Sequence, residues 1–154
     1  MRKMSIFKED KAISEMPIQY MVAITVAALS IFIMIVAFRN LWESHQVEEA
    51  VKEVNRIVRE AELMYNTADD GSKTILNVNF PSGMEKAVFG SRNPGNSNHY
   101  YIIMKWGENR SFYSKHVNFT GDYDGMAVLY GRANKIIMEL INREGGKYVS
   151  IRAS

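Results

Sequence analysis

The chain has no cysteine, only three prolines and three histidines, and not one charged residue between Met16 and Phe38. Without cysteine there is no disulfide framework, no thiolate zinc or iron–sulfur site and no thiol nucleophile. His45, His99 and His116 share no metal-ligand spacing. The sequence contains no G-x-S-x-G, no G-x-x-x-x-G-K-[ST], no H-E-x-x-H and no G-x-G-x-x-G after a strand, the patterns whose geometry carries strong catalytic or nucleotide-binding meaning. The expectation is a protein that is not an enzyme and takes no cofactor or metal. Glycine and proline are also missing between Pro17 and Gly71, so nothing there punctuates a helix.

Charge is nearly balanced and unevenly placed. Of 19 basic and 17 acidic residues, four basic and two acidic ones lie in residues 1–12, leaving 15 of each beyond them. The net charge of +2 therefore belongs wholly to the first twelve residues. A nucleic-acid partner would need a basic face on the folded part and is not expected.

Twenty-three uncharged residues follow that flank, MPIQYMVAITVAALSIFIMIVAF. At about 1.5 Å per residue they rise roughly 34 Å as a helix, enough for a hydrocarbon core of about 30 Å. A cleaved secretory signal has a shorter apolar region and a small-x-small cleavage site, which MIVAFRNL does not offer. Arg2, Lys3, Lys8 and Lys11 on the leading flank place the N-terminus in the cytoplasm and the C-terminal part outside by the positive-inside rule.

Beyond Phe38 the helical period continues. Val47, Val51, Val54, Val58, Ala61 and Tyr65 form an apolar stripe, while pairs such as Glu48 and Lys52 decorate the solvated side at i,i+4. The stripe fits packing on the protein's own globular part; two-stranded pairing and contacts with other copies are alternatives. Ser14 is the expected N-cap, and Pro17 then falls in the first turn of a helix ending near Asn66.

After the turn TADDGSK the period changes to two. TILNVNF, KAVFG, HYYIIMKW, SFYSKHVNF, MAVLYGR, NKIIMELIN and KYVSIR read as seven short strands, with hairpins across GENR and REGG. KIIMELI also fits a helix face; its short length, flanking turns and alternating Ile136, Met138 and Leu140 favour a strand. The fold class expected is α+β. A long N-terminal helix, with a transmembrane half and an amphipathic half, leads to an antiparallel β-sandwich-like head. The divisions are a basic leader over 1–12, a transmembrane helix over 13–38, its amphipathic continuation over 39–66 and an extracytoplasmic β head over 67–154.

Several local features carry two readings. Asp122, Asp124 and Gly125 resemble part of a calcium loop but lack its distal glutamate, so a turn is expected. The aromatics between Tyr100 and Tyr123 read as core and cross-strand pairs, with a stacking surface for sugars or single strands as the alternative. Asn109-Arg-Ser and Asn118-Phe-Thr match the N-glycosylation acceptor pattern, which matters for an exterior domain.

A basic leader, a small residue, a membrane-length helix with an amphipathic continuation and a β-rich head together resemble type IV pilins. More narrowly, DKAISEMPIQYMVAITVAALSIF is similar to the prepilin N-terminus of archaeal members, with its class III signal peptide. The detailed likeness covers about 30 residues. The resemblance implies a leader peptidase cutting between Ala12 and Ile13, with Lys11/Ala12 as the alternative bond. Glu15 then stands third and Pro17 fifth in the mature chain. It further implies a pilin-like structural subunit of a surface filament or pseudopilus, whose partners are the membrane, the peptidase and copies of itself or related pilins. Ala23, Ala27, Ala28 and Ser30, small residues that permit close helix approach, are the expected assembly positions with Glu15. The rival expectation is a single-pass anchor carrying a β domain that binds a ligand or partner without polymerising.

Overall fold

The computed structural model describes residues 6–154, with side chains from residue 17 onward. Arg2 and Lys3 of the leader lie outside the described residues, and so do the side chains of Ala12, Ile13 and Glu15. The protein is α+β: helix α1 (Ile6–Thr67) precedes eight strands in two four-stranded sheets. By contact it divides into two units at Trp42/Glu43.

The start of α1 differs from expectation. Ser14 does not cap it and Pro17 does not sit in its first turn, because the helix already begins at Ile6. Lys, Glu, Asp and Ala between Ile6 and Ile13 contain no breaker, so nothing ends a helix growing toward the N-terminus. Pro17 becomes an interior proline. It withholds the donor that the Ile13 carbonyl would use, a local cost of about 3 kcal/mol.

Strands β1 (Lys73–Asn77), β5 (Phe119–Thr120), β7 (Lys135–Arg143) and β8 (Gly146–Ala153) form one sheet in the order β1-β7-β8-β5. Its pairs are antiparallel except β5 with β8, which run parallel. Strands β2 (Met84–Phe89), β3 (His99–Met104), β4 (Asn109–Tyr113) and β6 (Ala127–Tyr130) form the second, antiparallel throughout, in the order β4-β3-β2-β6. The ambiguous segment 135–141 is a strand, with Ile136, Met138 and Leu140 fully buried on one face.

Eight strands replace the expected seven because SFYSKHVNF divides. Its first part pairs with β3, and its last residue, Phe119, pairs with β8 in the other sheet together with the following Thr120. The Ser114 hydroxyl accepts the Val117 N–H at 3.1 Å, closing a local turn where a continuous ladder was expected. His116 consequently lies in a connection rather than in a strand.

One buried cluster joins both sheets to the second half of α1. Val47, Ala50, Val54, Ile57, Val58, Ala61 and Met64 contribute from the helix. Phe89 stacks on Tyr100 at 5.9 Å and meets Phe119 edge-on at 5.5 Å, so aromatic rings bridge the two sheets. Of the expected stripe, Val47, Val54, Val58 and Ala61 are buried on the protein's own head and Val51 and Tyr65 partly so, and it is wider than expected, with Ala50, Ile57 and Met64 forming a second row. Gly131 is required where it stands: a Cβ there would collide with the Met84 carbonyl oxygen, which is backbone.

Candidate functional site: the apolar segment of the long helix

Between Ile18 and Leu41 every large apolar side chain is exposed, from 43% at Val36 to 71% at Phe38. The most apolar window of this stretch has none of its residues buried. A contiguous apolar surface of that length is the kind carried by helices that cross a membrane or meet an apolar partner.

Its polar atoms are consistent with such surroundings. The Thr25 hydroxyl donates to the Met21 carbonyl and the Ser30 hydroxyl to the Val26 carbonyl, each at 2.8 Å. Both side chains therefore satisfy themselves within the helix, which a hydrocarbon solvent demands. Tyr20 and Trp42 lie near the two ends of the stretch, and Arg39 stands three residues before Trp42. About 1.5 Å per residue puts Tyr20 and Trp42 roughly 33 Å apart along the axis, close to bilayer thickness. Amphipathic aromatics at that separation match the interfacial belts of membrane spans. Sequence reading passed over this pair, although its spacing alone carries the signal.

Ala23, Ala27, Ala28 and Ser30 are all exposed on this stretch. Helical geometry divides them: Ala23, Ala27 and Ser30 fall at i, i+4 and i+7 on one face, and Ala28 is turned about 100° away. The four residues do not form a single face. Ala12, Ile13 and Glu15 fall on the helical backbone ahead of Pro17, where only backbone is described.

The other half of α1 is tied to the head by polar contacts that periodicity does not reveal. Gln46 is buried, and its side-chain carbonyl accepts the Gly83 N–H at 2.9 Å. Glu53 accepts the Asn79 N–H at 2.8 Å and bonds Arg56, which also donates to the Asn77 carbonyl. Burial alone would raise the Glu53 carboxyl, but these two hydrogen bonds and the charges of Arg56 and Lys52 outweigh it and hold it below its ordinary value. Tyr100 donates to Asn55, and Lys147 to the Tyr65 carbonyl with its ammonium 5.0 Å from the Tyr65 ring centroid. Beyond Asn77 the Val78 N–H still reaches the Asn134 carbonyl at 2.9 Å, while the Asn77 carbonyl and the Asn79 and Gly83 N–H groups bond to the helix. Leu76, Val78 and Phe80 still point inward as the alternation implied.

The remaining candidates are dispersed. Among the described residues no three His, Asp or Glu side chains are grouped to hold a metal ion. His45 pairs with Glu49 at 3.4 Å, and His99 lies against Tyr101 and Tyr113. In GDYDG, Asp124 adopts φ 55° and pairs with Arg92 at 3.0 Å, the geometry of a turn. An open surface groove of about 580 Å³ is bordered by Arg92, Phe119, Arg143 and Tyr148. Asn109 is exposed at the start of β4, whereas Asn118 is half-buried before β5. No family model, curated protein or solved structure matches this chain. The geometry identifies an α+β protein with an exposed N-terminal helical segment long and apolar enough to cross a membrane.

Proposed function

We propose that this chain is a pilin-like structural subunit of a surface filament or pseudopilus, held in the membrane before assembly and polymerising through its N-terminal hydrophobic helix. One observation carries the reading: α1 is a single helix whose first half exposes an uninterrupted apolar surface while its second half is built into the core of a β head. A subunit of this kind needs both parts. The apolar half is stored in lipid and afterwards packs with the same segment of neighbours in a dry fibre core, and the head remains in water. A head-to-tail contact whose rotation does not close generates such a fibre.

The prepilin-like text around Ala12 and Ile13 supports a cytoplasmic leader removed by a leader peptidase. The basic flank supports an external head. Ala23, Ala27 and Ser30 allow close helix approach without charge. A permanently anchored β domain that never polymerises is the second reading, favoured by the Tyr20 and Trp42 belt and the self-satisfied hydroxyls, which suit a lipid span whether or not a fibre follows.

Ala27→Phe separates the two. It adds bulk without charge, so insertion and leader removal should proceed as in the wild type. The filament reading expects the variant to be missing from sheared surface filaments that contain the wild-type protein. Incorporation at the wild-type level, or absence of the wild-type protein from every filament fraction, favours the solitary anchor.

A further inference from the structure

The two acceptor triplets, indistinguishable in sequence, occupy opposite environments. Asn109, Arg110 and Ser111 are all exposed, on β4, which pairs with β3 alone and forms an edge of its sheet. The Asn109 side chain makes no hydrogen bond to another described residue. The turn before it is pinned: the Glu108 carboxylate accepts Trp106 Nε1–H at 3.2 Å and Arg110 Nε–H at 3.0 Å, and Gly107 takes φ 89°. Asn118-Phe119-Thr120 is enclosed. Phe119 and Thr120 are 1% and 4% exposed, the Asn118 carbonyl accepts the Val149 N–H at 2.8 Å, and Phe119 N–H donates to Ser97 at 2.8 Å. The threonine hydroxyl that a transferase must read is out of reach there once the head has folded.

What surrounds Asn109 also matters. Its register partner is Ile103, and Tyr101 faces Ser111, so these side chains share the outer face of the sheet. His99 lies between Tyr101 and Tyr113, with ring centroids 5.4 and 4.8 Å away. Tyr113 is 65% exposed. The small Ser111 leaves room over Tyr101, diagonally across from Asn109 at a separation of about 7–8 Å, within reach of a first sugar ring. An aromatic face with phenol and imidazole edges, bordered by Lys86 in register with Ile103, suits the apolar side and hydroxyls of a pyranose.

We propose that Asn109, and not Asn118, carries an N-linked glycan that lies over Tyr101 on the outer face of the β4-β3-β2-β6 sheet. This rests on the external placement of the head in the reading above. The donor class is a polyprenyl-phosphate-linked oligosaccharide presented on the outer side of the membrane, with a transferase. The Asn109 amide nitrogen forms a bond to sugar C1, the C1–O bond to phosphate breaks with its electron pair leaving on that oxygen, and one amide proton passes to solvent. A glycan there would also cover the free edge of β4, a template for unwanted strand pairing.

The test is peptide mass spectrometry of the full chain isolated from its own cells. In parallel, intact cells are treated with an amine reagent that cannot cross the membrane. The expected result is labelled head lysines and a glycan mass on the Asn109 peptide. That mass should be lost completely in Asn109→Gln and Ser111→Ala, kept in Ser111→Thr and unaffected by Asn118→Gln. Labelled lysines with a bare Asn109, or a glycan on Asn118, would overturn the proposal while leaving the external head intact. Head lysines that stay unlabelled until the cells are broken would overturn both.

Discussion

Residues 18–41 and 47–64 of α1 belong to one helix and are both rich in branched apolar side chains, yet their surroundings are opposite. Val36 is 43% exposed, whereas Val54 and Ile57 are fully buried. The difference lies in the polar residues between the apolar ones. In the second stretch Glu, Lys, Arg and Asn confine the apolar side chains to one face, which two sheets can cover. In the first stretch no polar face exists, and its large apolar side chains are exposed all round the helix. Apolar content alone therefore does not decide burial; its angular distribution does.

The sharpest way to break this comparison is the same substitution in each half. Ile57→Ala should destabilise the head by about 2–5 kcal/mol, because the cavity opens in a core shared by both sheets. Ile33→Ala should leave head unfolding unchanged within about 0.5 kcal/mol. Thermal melts of the detergent-solubilised full chain, followed through the near-ultraviolet signal of the head, read both. Equal effects would mean that the first half also supports the head.

The contrast between the halves was legible in the sequence, as were the strand at 135–141 and the alternation of Leu76, Val78 and Phe80. Two things were not. The strand read over 111–119 kept an alternating look, but its buried positions change phase between Ser114 and Val117, and that slip marks the passage from one sheet to the other. Ser14 followed by Pro17 has the local pattern of a helix start, although α1 begins at Ile6. Local chemistry cannot show that the preceding turns are equally willing to be helical. At the candidate site the uncharged span was plain from composition. The polar ties of Gln46 and Glu53 were hidden, since their partners are backbone N–H groups 37 and 26 residues away.

Those ties sharpen the comparison at a smaller scale. Gln46→Ala removes the acceptor for the buried Gly83 N–H and should cost about 1–3 kcal/mol in the same melts. Glu53 should give a weaker, pH-dependent effect. Its carboxyl is held below its unfolded value, so its contribution is complete above the unfolded carboxylate range and is lost as pH falls through the folded value. Glu53→Gln should therefore lower stability at neutral pH and flatten the acid limb of melting temperature against pH. An unchanged acid limb would remove Glu53 from the account.

In the proposed filament the exposed half of α1 begins as a processed membrane segment and ends inside a fibre. N-terminal sequencing of the protein recovered both from membranes and from sheared surface material tests it most directly. A pilin-like subunit should give a mature chain starting at Ile13 in both fractions. A chain that retains Met1 and occurs only in membranes would contradict it.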